Sequence, residues 1–130
     1  AVIFERGIFD AYCWMTYWAE KDKKLRQEIE VAKKFLLSKL WASLIDGAYF
    51  LICDPEKAKE REFNASVSNQ LNTTNIEMVK LYKKAYGQLA KNFKQLKMID
   101  TTNSSALDVK KHIILDILNI MRRRADKARG

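Results

Sequence analysis

The chain has 130 residues, of which 48% are hydrophobic and 31% are charged, a composition typical of one folded domain with a modest core. This balance excludes a disordered chain, and no apolar run reaches the roughly 18–20 residues that a membrane-spanning helix needs. The net charge of +8 favours an anionic partner, and nucleotides, nucleic acids and acidic surfaces all qualify.

The sequence opens on an apolar segment, Ala1–Phe4, which is followed at once by the charged pair Glu5-Arg6. Apolar runs without polar alternation are typical of strands that are covered on both faces in a parallel sheet. We therefore predict a first β-strand here, and we expect that the beginning of the fold precedes Ala1.

Two helices are predicted next. The segment Ile8–Glu20 is rich in aromatic residues and contains no helix breaker. From Leu25 to Ile45, apolar residues recur every three or four positions, and Asp46-Gly47 is a typical helix end.

The second half of the chain predicts two strands and three helices. The apolar run Ala48–Cys53 predicts a buried strand, and Asp54-Pro55 after it is a typical helix start, with Asp54 as the N-cap. The remaining predicted elements are a charged helix over Pro55–Val67, a long helix over Asn75–Asn92, a short strand over Leu96–Asp100 and a terminal helix over Ala106–Lys127.

The order of these elements predicts the fold class. Strands separated by helices favour parallel pairing with right-handed crossovers. We therefore predict a single α/β domain over residues 1–130, a three-layer arrangement in which helices flank a parallel sheet of about three short strands.

The two cysteines and the basic residues each allow two interpretations. Cys13 and Cys53 lie 40 positions apart in apolar settings, which favours free buried thiols in a reducing cytoplasm over a disulfide or a metal site. The densest basic run, Arg122-Arg123-Arg124, either complements the dipole at the end of the last helix or forms a nucleic-acid patch.

All three predicted strands end on polar side chains. In open α/β sheets, ligands bind beyond the carboxyl ends of the strands. Those positions hold Glu5-Arg6, Asp54 and Asp100-Thr101-Thr102. Asp54 is also explained as a helix cap and Thr101-Thr102 as a turn, whereas a charged pair directly after a buried strand is costly unless it is paired or functional.

The order of these motifs resembles the later half of P-loop kinases of the nucleoside and nucleotide kinase group, over about Ala1–Ile120. In that group a strand ends in an acidic residue and arginine, an Asp-Pro-Glu segment opens a lid helix with arginines, and a strand ending in Asp-Thr precedes the last helix. The matching residues are Phe4–Ala11, Trp14, Asp46, Asp54-Pro55-Glu56 and Arg61-Glu62.

On the acceptor side, the resemblance implies that Glu5 is a base or orienting group and that Arg6 binds phosphate. It implies that Asp10 hydrogen-bonds the acceptor and that Phe9 and Trp14 line its pocket. Packing in an ordinary core is the alternative for these two aromatic residues.

On the ATP side, the resemblance implies a lid over residues 54–74. Arg61, with Lys57, would neutralise charge on the transferring phosphoryl group. An exposed position on a charged helix is the alternative for Arg61. The segment expected to lie near the adenine is Thr101, Thr102 and Asn103.

The chain departs from the group in one large respect. No Gly-x-x-x-x-Gly-Lys-Ser/Thr sequence occurs among its 130 residues, so they contain neither the phosphate loop nor its hydroxyl for magnesium. ATP and Mg²⁺ would therefore require residues upstream of this chain, and we expect the 130 residues alone to be inactive and to contribute no metal ligand.

The sequence is consistent with two functions. The first is ATP-dependent phosphoryl transfer to a nucleoside, nucleotide or similar small acceptor by the complete protein, with no membrane partner and with the region Ile8–Ile45 as a candidate surface for a homodimer. The alternative is a non-catalytic helical module that binds an anion or a nucleic acid through its last helix.

Overall fold

The computed structural model describes residues 2–64 and 73–130. Helices account for most of these residues and two strands form one parallel sheet, which confirms the mixed α/β class. In chain order the elements are α1 (Ile8–Lys21), α2 (Arg26–Leu36), α3 (Lys39–Ala42), β1 (Ala48–Ile52), α4 (Pro55–Asn64), α5 (Thr73–Leu89), β2 (Leu96–Asp100) and α6 (Ala106–Arg129).

The sheet is formed by β1 and β2, which pair in parallel from Ala48 opposite Leu96 to Ile52 opposite Asp100. Parallel strands need a long crossover, and α4 and α5 lie in the segment that connects these two. Because the strands end in register, the residues after Ile52 and Asp100 meet at the same edge of the sheet.

The predicted first strand is not formed, and the three-layer sheet of about three strands is wrong. Val2, Ile3 and Phe4 precede α1 outside any strand, with 79–81% of their surfaces exposed. An apolar segment becomes a strand only when a neighbouring strand satisfies its backbone N–H and C=O groups. The apolar character of these residues does not itself provide that pairing.

The core lies between one face of the sheet and the helices α1 and α5. Phe50 of β1 packs edge-to-face against Tyr82 of α5, with their ring centroids 5.3 Å apart. Cys13 of α1 is fully buried beside them, and Ala85 of α5 is 1% exposed. Small residues at these two positions let the helices approach each other and the sheet.

The single helix predicted from Leu25 to Ile45 is two helices, α2 and α3. Ser38 adopts an extended conformation at the break and precedes the first turn of α3. The break lets Leu37 and Ile45 both pack against the core cluster. Apolar periodicity continues through Ser38, so the sequence pattern does not reveal the break.

The last helix, α6, lies against the opposite face of the sheet, and its partly buried side carries Val109, Ile113, Ile117 and Ile120 as well as Asp116. Asp116 of α6 accepts hydrogen bonds from Tyr49 of β1 and Lys97 of β2. No residue of α6 is buried, although the whole helix is described. Across residues 2–64 and 73–130, no helix combines the length and the apolar character required to span a bilayer.

Candidate functional site: a polar cleft at the carboxyl ends of the strands

The site is built on the register of the two strands. Beyond the last strand pair, Thr101 donates its backbone N–H to the carbonyl of Ile52 over 2.8 Å and its hydroxyl to the same carbonyl over 3.0 Å. These two bonds extend the sheet by one residue. They fix the start of the loop after β2 against the end of β1.

Thr102 connects this loop to the start of α4. Its Oγ1 accepts the backbone N–H of Asp54 over 2.9 Å and donates to Oδ1 of Asp100 over 2.6 Å. The backbone N–H of Thr102 donates to the same carboxylate oxygen over 2.9 Å. The hydroxyl and then the backbone N–H lower the pKa of Asp100, because both stabilise the carboxylate.

Asp54 performs the capping role that the sequence predicts. Its Oδ1 accepts the backbone N–H groups of Glu56 and Lys57 over 3.0 and 3.4 Å, and Pro55 occupies the first helical position. The cap fixes the direction in which α4 leaves the sheet. As a result, the side chain of Arg61 reaches back over the loop after β2.

Arg61 joins α4 to that loop. Its Nη2 donates to the carbonyl oxygens of Thr101, Thr102 and Ser104 over 2.8, 3.2 and 3.2 Å. Its Nη1 lies 3.5 Å from both Oγ1 of Thr101 and Sγ of Cys53. A planar guanidinium with several fixed donors suits this arrangement better than a lysine would, because lysine has a single charged nitrogen.

A cleft of about 380 Å³ lies beside this contact. Lys57 faces it together with Glu60, and the two side chains form an ion pair of 2.7 Å. The hydrogen bond and the charge of Glu60 raise the pKa of Lys57, and those of Lys57 lower the pKa of Glu60. The residues that line the cleft are Lys57, Glu60, Arg61, Thr102, Asn103 and Ser104.

The side chains of the cleft suit a polar or anionic group. Two cations, one carboxylate, two hydroxyls and an amide give it donors for an anion and acceptors for a polar ring. Within the described parts of the chain, no cluster of three histidine, cysteine, aspartate or glutamate side chains could hold a metal ion. The cleft can therefore orient a polar or anionic ligand through the side chains and backbone groups around it.

The structure brings together the residues predicted for the ATP side. Arg61, Lys57, Thr102 and Asn103 line one cleft, and Thr101 is hydrogen-bonded to Arg61. The predicted lid begins as α4, but its residues 65–72 lie outside the described residues.

The residues predicted for the acceptor side lie elsewhere. Glu5 and Arg6 are exposed in the segment before α1, and Arg6 has a left-handed backbone conformation with φ of 60°. Asp10 accepts a hydrogen bond from the hydroxyl of Tyr82 on α5. Burial and then this hydrogen bond raise the pKa of Tyr82, while the charge of Arg6 acts in the opposite direction.

Of the two predicted pocket aromatics, Phe9 is a core residue. It is 4% exposed, and its ring packs edge-to-face against Phe93 at 5.4 Å. Trp14 is half-buried and packs against Tyr17 at 5.8 Å. Phe9 therefore packs in an ordinary core, which is the alternative to a role in lining a pocket.

Two side-chain hydrogen bonds could not be predicted from the sequence. The partner of Asp10 is Tyr82, which lies 72 positions away, and one partner of Asp116 is Tyr49, which lies 67 positions away. The run Ala48–Cys53 is apolar throughout and shows no alternation, so only the period of two along any strand could have placed Tyr49 on the face opposite Phe50.

Comparisons with known proteins assign this chain to no group. No family model matches it, and no match was found among curated proteins or among solved structures.

Proposed function

We propose that this chain forms the lid and the base-binding side of an ATP-dependent phosphotransferase that acts on a nucleoside, a nucleotide or a similar small acceptor. The observation that supports this proposal is the contact of Arg61 with Thr101 and Thr102. The resemblance implies that these residues, 40 positions apart, face the same nucleotide, and they meet at the carboxyl edge of a parallel sheet, where ligands of open α/β sheets bind.

Most backbone groups of the loop after β2 are hydrogen-bonded within the protein. Arg61 holds three of its carbonyl oxygens, so the loop has a defined shape before a ligand enters. In this proposal, the backbone N–H and C=O of Asn103, which have no hydrogen-bond partner among the described residues, recognise the edge of the base, and its side chain adds an amide to the lining of the cleft.

Lys57 is the cation that the proposal places next to the phosphates. In the structure its ammonium group is paired with Glu60 at the mouth of the cleft, and both side chains are half exposed. An exposed pair of this kind contributes little to stability, so a phosphate can replace Glu60 as the partner at low cost.

The phosphate loop and the magnesium ligands must come from residues outside these 130. The chain has no Gly-x-x-x-x-Gly-Lys-Ser/Thr segment, and the cleft has one carboxylate, which is already paired. ATP fits the donor set of the cleft at its base side, whereas Mg²⁺ does not fit it. Alone, the chain should bind the base side of ATP weakly and transfer no phosphate.

Binding is tested by NMR with the ¹⁵N-labelled chain. Adenosine and ATP, each at millimolar concentration, should shift the backbone amides of residues 101–105 in the same direction. Tripolyphosphate should leave these amides unchanged and shift Lys57. Arg61→Lys should reduce the shifts severalfold, while the matched change Arg129→Lys on α6 should leave them intact. If adenosine moves no amide of residues 101–105, the proposal is wrong.

Phosphoryl transfer is tested with the natural polypeptide that contains these residues. With ATP, Mg²⁺ and a panel of nucleosides and nucleoside monophosphates, ADP release should depend on one acceptor. Arg6→Ala should abolish the reaction, and Arg26→Ala on the exposed start of α2 should not. Full activity of Arg6→Ala would remove Arg6 and its acceptor-side role from the proposal.

A second candidate function, binding of nucleic acid, is favoured by the exposed end of α6. Arg122, Arg123, Lys127 and Arg129 are exposed there, while Arg124 pairs with Asp46. Phosphate contacts by such cations make affinity fall steeply with salt. Replacing Arg122 and Arg123 by glutamine should then flatten the salt dependence of binding to a fluorescent oligonucleotide, and an unchanged slope would exclude this candidate.

A further inference from the structure

A second apolar stripe on α6 faces away from the sheet. It consists of Leu107, Ile114, Leu118 and Met121, which we call the seam. Between 44% and 57% of each of these side chains is exposed. Their spacing of seven, four and three positions places them on one line along the helix.

The seam is distinct from the side of α6 that contacts the sheet. That side carries Asp116, which binds Tyr49 and Lys97, and Ile120, whose Cδ1 lies beside Gly47. The helical repeat of 3.6 residues puts the seam between about a third and a half of a turn away from these residues. Contact between α6 and the sheet therefore leaves the seam uncovered.

The residues of the seam have the spacing of the two apolar positions in a coiled-coil heptad. Leu107, Ile114 and Met121 repeat every seven residues, and Leu118 occupies the other apolar position of the heptad, which Lys111 and Ala125 also occupy. Leu115, which is 62% exposed, lies beside the seam at the position that Arg122 and Arg129 share, and it broadens the apolar surface there. The seam itself matches the contact line between two helices, and one lysine within it is a known device that selects a partner.

Positive charges predominate beside the seam. Lys110 lies on one side of it, and Arg122 and Arg129 lie on the other, all exposed. Asp108 lies two heptads before Arg122 and shares its side of the seam, where its carboxylate accepts a hydrogen bond from the hydroxyl of Ser105, whereas Asp126 lies further round the helix. Because most of these charges are positive, a helix with acidic flanks would complement the seam better than a second copy of α6 would.

We propose that the seam binds an amphipathic helix whose apolar stripe is flanked by glutamate or aspartate. Apolar side chains of this helix pack against Ile114 and Leu118, and its acidic side chains face Lys110, Arg122 and Arg129. An acidic residue opposite Lys111 fixes the register. This surface is independent of the cleft at the carboxyl ends of the strands.

The probe is a fluorescent synthetic peptide of three heptads, with leucine at both apolar positions and glutamate at the flanking positions. Glutamate flanks keep this peptide from pairing with itself. One control peptide has lysine at the flanks, and another keeps the glutamates but has serine at the apolar positions. Anisotropy with the full chain should show binding of the first peptide at least about tenfold tighter than that of either control.

Variants of the chain locate the binding surface. Leu118→Ser and Met121→Lys should each weaken binding of the glutamate peptide by about tenfold. Val31→Ser, which replaces an exposed apolar residue of α2, should have no effect. Because all three side chains are exposed, the variants should retain the far-ultraviolet circular dichroism of the parent chain.

Three results would overturn the proposal. The first is equal binding of the two glutamate peptides, since charge alone would then explain it. The second is a dimer of the chain in light scattering that Leu118→Ser dissociates, because a second copy would then occupy the seam. The third is binding to phosphatidylserine vesicles that requires Leu118 while the glutamate peptide does not bind, which would identify a membrane surface instead.

Discussion

Replacement of Asp116 by alanine tests whether polar contacts hold α6 on the sheet. Both carboxylate oxygens of Asp116 lie 2.6 Å from Nζ of Lys97, and one lies 2.5 Å from the hydroxyl of Tyr49. The side chain of Asp116 is 15% exposed and that of Lys97 is 44% exposed. The substitution removes the acceptor of both donors at once and leaves the Tyr49 hydroxyl unpaired.

The expected loss follows from these contacts. A hydrogen bond to a charged group contributes about 1.5–3 kcal/mol, and an exposed ion pair contributes less than about 1 kcal/mol. Tyr49 supplies the first kind of contact and Lys97, being half exposed, a contact closer to the second kind. Asp116→Ala should therefore lower the free energy of unfolding by about 2 kcal/mol, which for a domain of this size lowers Tm by about 8 °C.

The assay is thermal and urea unfolding followed by circular dichroism, with hydrogen exchange to locate the effect. Asp126→Ala is the matched control, because Asp126 is an exposed carboxylate on the outer side of the same helix. Exchange should accelerate in α6 and β1 in Asp116→Ala and in neither element in the control. A loss of stability no larger than that of Asp126→Ala would refute the idea that this contact anchors α6.

The pH dependence of this contribution has a defined sign. Hydrogen bonds from Lys97 and Tyr49 lower the pKa of Asp116 below its ordinary value. A carboxyl group with a lowered pKa in the folded state contributes stability that is fully present above its unfolded pKa, about 3.9, and is lost as pH falls through the folded pKa. The stability difference between the parent chain and Asp116→Asn should therefore shrink only below about pH 4.

Three further predictions each concern the reactivity or the pKa of one side chain. Burial raises the pKa of Cys13 to about 12, so Ellman's reagent should titrate one thiol, Cys53, in the folded chain and two in denaturant. Burial also raises the pKa of Tyr82, so Tyr82→Phe should leave the phenolate absorbance at about pH 11 unchanged, and a loss of one tyrosine equivalent would contradict the burial. Thr102→Val removes the hydroxyl but keeps the backbone donor, so the pKa of Asp100 should rise partway to its ordinary value in a carboxyl ¹³C titration, and no rise would contradict the contact.

The strands and helix starts could be predicted because their signals are local. The run Ala48–Cys53 lies between a glycine and an N-cap aspartate, and β1 begins at the predicted residue and ends one residue earlier. The segment Ala1–Phe4 is equally apolar but has no strand beside it. A strand depends on its neighbour as much as on its own residues, so composition alone predicted one strand too many.

The same distinction applies to the candidate site. Asp54 and Thr102 were predicted from their positions after two strands, and parallel register then brought them together. Glu5 and Arg6 were placed at the same edge on the premise of a first strand, and that strand is absent from the described residues. Their proposed role is therefore supported by the resemblance alone. The contacts of Arg61 support a role in shaping the loop after β2, and because its guanidinium is engaged there, they do not support the neutralisation of phosphoryl charge that the resemblance implies for it. The adenosine titration of the cleft is consequently the stronger test, because its outcome does not depend on how the acceptor side is completed.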